Sequence, residues 1–193
     1  GGSTITTQVI KNELLQEQAS DRSLERKVKE IMLAVELERR LTKPEILQRY
    51  INVFLWGGNV YGIHAAAQAY FNKNPIDLTL AEGLYLARLI PAPNARHDDD
   101  FNLTRASMRT ILDRMVAEGN ISKETADRAW KEKIQPTGWV VQYDDNGNVL
   151  SATQTGEQIR AQATVSTSDA IYAQVNIAVR NELRDKYGSG LLQ

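Results

Sequence analysis

At the start of the chain, Gly1-Gly2-Ser3-Thr4-Ile5-Thr6-Thr7-Gln8 runs into Lys11-Asn12, and Arg26, Lys27 and Glu30 follow. Glycines let backbone N–H groups come close to a ligand. Ser3, Thr4 and Thr6 add short hydroxyl donors. A helix is expected to open near Thr6 or Thr7, and a helix N-terminus attracts anions. Lys11, Arg26 and Lys27 then supply positive charge beside one carboxylate, Glu30. Such a set suits a phosphorylated substrate whose leaving group departs with negative charge. The spacing is not that of the Gly-x-x-x-x-Gly-Lys-Ser/Thr phosphate loop. Taken alone, the Gly-Gly-Ser-Thr run reads more readily as an ordinary turn capped by Ser or Thr.

The elements that must position these residues are mostly helices. Leu24, Val28, Ile31 and Val35 fall at the spacing of a buried helical stripe between Leu24 and Leu41. Ile31 to Val35 is apolar all round, which predicts a central helix. On that helix Lys27 and Glu30 lie about 60° apart, on a face that continues through Ala34, Leu37 and Leu41. Glu30 is thus expected at the polar entrance of an apolar face. Read without further context, Lys27 and Glu30 are also an ordinary surface pair, worth about 0.3–0.5 kcal/mol.

Thr42 and Glu45 form a capping-box pattern with Pro44 in the first turn, so a helix is expected to about Val53. Trp56-Gly57-Gly58-Asn59 breaks it. Further helices are expected from Ile63 to Phe71, from Thr79 to an end at Pro91 and Pro93, from Asn102 to Gly119, and after Ser122. Trp139 to Tyr143 and Val149 to Thr153 read as a β-hairpin around Asp144-Asp145-Asn146-Gly147-Asn148. A further strand is expected over 161–166, and a C-terminal helix from Ser168 or Asp169 to about Tyr187.

The ordered motifs resemble the glycosyltransferase family 51 domain of class A penicillin-binding proteins. Gly1 to Asn12 resembles the family's second motif, with Thr7 where Gln is usual. Arg26, Lys27 and Glu30 match its Arg-Lys-x-x-Glu motif. Thr42 to Asn52 resembles the fourth motif, with Gln48 in place of Glu, and Tyr61 to Phe71 the fifth. The resemblance covers Gly1 to about Pro136. It implies peptidoglycan glycan-strand polymerisation from lipid II, with inversion at the anomeric carbon and a polyprenyl pyrophosphate leaving group. It implies Glu30 and Lys27 as catalytic residues. Ser3, Thr4, Gln8, Lys11, Arg22, Arg26 and Asn52 are the implied substrate-binding residues. Glu30 either holds a divalent cation, magnesium or manganese, or orients the cationic residues; no organic cofactor is implied. The family's first motif, which carries the general-base Glu, is not in this sequence. It is expected upstream of Gly1, as is a membrane anchor, with a transpeptidase domain downstream.

The resemblance also implies the fold: mainly α, a lysozyme-like helical domain over residues 1–136. A β-hairpin and helix over 137–193 would lead toward the transpeptidase domain. Implied partners are lipid II, the lipid-linked glycan strand and the membrane surface. The implied location is the extracytoplasmic face of the bacterial cytoplasmic membrane. The chain has 193 residues, 42% of them hydrophobic, which supports a packed core. Its net charge of −1 offers no global field to recruit nucleic acid. It has no cysteine, which excludes disulfides and thiolate metal sites. No apolar run is long enough to span a bilayer. With only His64 and His97, zinc ligation is not expected. Two other readings stay open. One is a lytic transglycosylase or lysozyme-type muramidase, which needs a catalytic Glu but no phosphate cradle. The other is a noncatalytic fragment that binds lipid II.

Overall fold

A computed structural model describes residues 4–13, Leu15 and residues 23–161. The expectations for Gly1 to Ser3, Arg22, the 161–166 strand and the C-terminal helix lie wholly or mostly outside these residues. The described chain divides into two compact units, one ending at Phe54 and the other beginning at Leu55. Among the described residues the fold is mainly α, with a single two-stranded sheet, and no helix is long and apolar enough to cross a membrane.

The first unit holds α1 (Ile5–Glu13), α2 (Leu24–Arg40) and α3 (Lys43–Val53). Helix α1 opens one residue earlier than expected because Thr4 and Thr7 cap it reciprocally. Thr7 N donates to Thr4 Oγ1 at 3.2 Å, and Thr4 N donates to Thr7 Oγ1 at 2.9 Å. Thr7, the departure from the family's usual Gln, is therefore buried against the start of its own helix. Ser23 caps α2 by accepting from Arg26 N. The expected box of Thr42 and Glu45 opens α3, with Pro44 in its first turn. Both α2 and α3 pack on α1.

The orientation of α2 corrects the expected stripe. Leu24, Val28, Ile31, Met32 and Val35 are exposed, whereas Glu30, Leu33, Ala34 and Leu37 are buried. At about 100° per residue the two sets centre on directions roughly 150° apart. A helix apolar on both sides can bury either one, and periodicity alone could not choose. The side that carries Glu30 is the buried one, and α2 packs on α1, where Thr6 Oγ1 also donates to Glu38 at 2.6 Å.

The second unit contains α4 (Gly62–Phe71), α5 (Leu80–Leu89), α6 (Pro93–His97), α7 (Phe101–Ala117) and α8 (Lys123–Lys131). The hairpin β1 (Trp139–Tyr143) and β2 (Val149–Gln154) is antiparallel and pairs Val141 with Ala152. Gly62 opens α4 at φ 82°, a conformation that other residues adopt only under strain. Thr79 and Glu82 cap α5 as expected. Helix α6 was not anticipated: Pro93, expected to end α5, also occupies a first-turn position of the next helix. The Asp98-Asp99-Asp100 segment is partly structural. Asp100 caps α7, and Asp99 pairs with buried Arg88 at 2.9 Å.

The core of this unit is aromatic. Tyr70, Tyr85 and Phe101 are almost fully buried, and Tyr85 and Phe101 stack at 6.2 Å. The hydroxyl of Tyr85 lies 2.8 Å from His97 Nδ1, which gives His97 a packing role. Arg105 ties the hairpin to α7. It donates to Trp130 O and, at 2.9 Å, to Gly147 O, with its guanidinium over the Trp130 ring.

Candidate functional site

The site grows from the start of α2. Ser23 fixes the first turn, so Arg26, Lys27 and Glu30 project from consecutive turns. Lys27 Nζ donates to Glu30 Oε1 at 2.7 Å, and Arg26 reaches Glu30 Oε2 at 3.5 Å. Glu30 is 3% exposed, whereas the Lys27 side chain keeps 41% of its surface in solvent. The carboxylate is therefore buried behind its cations, and Lys27 forms the open side of the cluster. Arg26 Nε is buried without a hydrogen-bond partner among the described residues. A buried donor left unmade is costly.

The donor set around Glu30 is that of a charge pair. Each carboxylate oxygen already faces a cation, and no group of three or more His, Asp or Glu side chains gathers among the described residues. Glu30 alone does not make a protein-built cation cage among the described residues.

The other anticipated residues are spread over the first unit. Thr4 is exposed at the start of α1, with its hydroxyl engaged in the cap. Gln8 stands one turn further on, half-buried, and accepts from Tyr50 Oη at 3.3 Å. Lys11 follows on the same helix and is exposed. No hydrogen bond or ion pair among the described residues joins it to Glu30. Asn52 Nδ2 donates to Gln48 O within α3 at 2.8 Å, which makes its visible role the closing of that helix. Ser3 and Arg22 lie outside the described residues.

One charge pair escaped the sequence reading. Arg49 NH1 on α3 reaches Glu13 Oε2 on α1 at 3.3 Å, with side chains 17% and 5% exposed. Burial, partly offset by Arg49, lifts the Glu13 pKa above the ordinary glutamate value. Nothing local in the sequence links positions 36 residues apart. Only the packing of α3 on α1 does so.

The first unit thus buries one carboxylate under two cations, close in sequence to a short capped helix. Residues 1–116 match the family described as Transglycosylase, and the chain belongs to that family. It is similar to penicillin-binding protein 1A of Pseudomonas aeruginosa, 38% identical over 190 residues, which cover 96% of this chain and 22% of that protein. It is also similar to penicillin-binding protein 1A of Neisseria flavescens, 40% identical over 176 residues, covering 90% of this chain and 21% of that one. A crystal structure of penicillin-binding protein 1A from Haemophilus influenzae aligns with a TM-score of 0.45 and 24% identity, over 97% of this chain and 20% of the other. The chain thus spans about a fifth of the length of the curated relatives it matches.

Proposed function

We propose that the protein carrying this chain polymerises peptidoglycan glycan strands from lipid II. The observation that carries the proposal is Glu30, buried under Lys27 and Arg26, with Arg26 Nε left without a partner. In the proposed reaction the sugar 4-hydroxyl of lipid II attacks the anomeric carbon of the lipid-linked strand. A new C–O bond forms as the bond to the polyprenyl pyrophosphate breaks. That diphosphate gains negative charge as it leaves. Lys27 and Arg26 meet this charge, and Glu30 holds both cations in place. Electrostatic stabilisation of developing charge by preorganised groups is the main contribution such a site makes. Lys11, Gln8 and Thr4 would line the approach along α1, with Ser3 and Arg22 assigned to the same substrate by family resemblance. Asn52 supports the site through α3.

The acceptor proton would pass to the first-motif glutamate of the family, which this sequence does not contain. Inverting transfer needs that base on the face opposite the leaving group. No step is routed through a metal. The reaction would take place at the extracytoplasmic membrane surface, with a transpeptidase domain as the partner in the same polypeptide.

Strand cleavage is disfavoured by the same geometry. A lytic enzyme needs a carboxyl that delivers a proton to a sugar oxygen. Glu30 would have to give up its two cationic partners to hold one. The test is Glu30→Gln in the natural full-length protein, incubated with labelled lipid II. Polymer yield should fall on the order of 10²–10³-fold while lipid II remains intact. Normal yield from Glu30→Gln, or shortening of finished strands by the unaltered protein, overturns the proposal.

A further inference from the structure

We propose that Tyr50 is a positioning residue that sets the Gln8 amide for substrate, an inference that rests on the assignment of Gln8 to the substrate. Tyr50 is 4% exposed, and its hydroxyl donates to Gln8 Oε1 at 3.3 Å across the α1–α3 contact. Ile46 and Tyr50 recur on one face of α3, with Phe54 just past its end, and of these three only Tyr50 carries a polar tip. With Oε1 taken by the phenol, the amide presents Nε2 as its free end. No partner for Nε2 is found among the described residues. Its two N–H groups are suited to a phosphate or sugar oxygen. Burial lifts the Tyr50 pKa above the ordinary tyrosine value, so the phenol keeps the proton that it donates.

The neighbouring residue strengthens the arrangement. Arg49 binds Glu13 at 3.3 Å, so consecutive residues of α3 grip α1 at two points five residues apart. Two such grips resist both rotation and sliding of α1 against α3. Gln8 is long and flexible, and a flexible side chain loses rotamer freedom when a ligand holds it. Tyr50 would remove part of that freedom before the substrate arrives. The Tyr50 ring also packs beside Phe54, with centroids 5.7 Å apart, so a phenylalanine at position 50 keeps the packing and loses only the hydroxyl.

The experiment is a double-mutant cycle in the natural full-length protein, read as kcat/KM for lipid II polymerisation at a temperature where every variant is folded. Tyr50→Phe should lower kcat/KM by about 3–10-fold with little change in melting temperature. Gln8→Ala should lower it further, and Tyr50→Phe should then cost nothing more in the Gln8→Ala background. A normal rate from Tyr50→Phe, or losses that simply multiply, overturns the positioning role. If Gln8→Ala is impaired while Tyr50→Phe is normal, the positioning role alone fails. If Gln8→Ala works at full rate, the substrate role of Gln8 fails and the positioning role with it.

Discussion

The burial of Glu30 depends on which way α2 faces, and two substitutions test that directly. Leu33 is 4% exposed and lies on the same side of α2 as Glu30, whereas Ile31 is 49% exposed on the other side. Leu33→Ala removes buried methyl groups and leaves a partly filled cavity, a change that costs about 3 kcal/mol. In a chain of this size each kcal/mol lowers the melting temperature by about 2–4 °C, so the fall should be roughly 6–12 °C. Ile31→Glu gives up only the half of its surface that is covered. Its cost should stay within about 1 kcal/mol, or roughly 2–4 °C.

The assay is thermal unfolding of the two variants beside the unaltered 193-residue chain, followed by circular dichroism. The stripe of residues 24, 28, 31 and 35, taken as core, predicts the reverse order, because Ile31→Glu would then bury a charge. If Ile31→Glu proves as damaging as Leu33→Ala, the orientation of α2 described above is wrong. Glu30 would then rotate toward solvent, and the charge-pair argument would lose its basis.

Two further outcomes follow from the packing. Arg105→Met strips the donors from Trp130 O and Gly147 O, and unfolding in urea should show a loss of about 2–4 kcal/mol. Arg105→Lys should not restore it, because an ammonium cannot span two carbonyls while stacking on Trp130. The second outcome concerns pH. The folded pKa of Glu13 is raised, so the folded state holds that proton more tightly than the unfolded one. Its stabilising contribution is complete below the unfolded value near 4.5 and is lost as pH rises through the folded value. The melting temperature of Glu13→Gln relative to the unaltered chain should therefore improve from pH 4 to pH 7, and a constant difference across that range would refute the assignment.

Much of this architecture was written in local signals. The Thr42–Glu45 box, the Thr79–Glu82 box, Ser122 before α8 and the Asp144–Asn148 turn each fixed an element boundary, because capping and turn chemistry act within four residues. Lys27 and Glu30 were placed on one face by helical geometry alone. What stayed hidden required knowledge of neighbours. The choice between the two apolar sides of α2 is made by what packs on it, α1 among the described helices, which no periodicity within α2 encodes. Helix α6 is only five residues long, too short to declare a period. The Glu13–Arg49 pair joins two positions whose local contexts predict nothing but exposed helix.

The site combines the two kinds of information. Sequence spacing brings three charged groups together on α2, but spacing alone gives an ordinary surface pair. Tertiary packing turns the carboxylate inward and leaves Lys27 at the surface. A carboxylate exposed beside a diphosphate would repel it. The same carboxylate withdrawn behind two cations lets the outer face of the cluster present positive charge, while their side chains stay fixed from within. In the proposed reaction this polarity, with the acid inside and Lys27 at the surface, is the feature that would let a common helical pair receive a departing pyrophosphate.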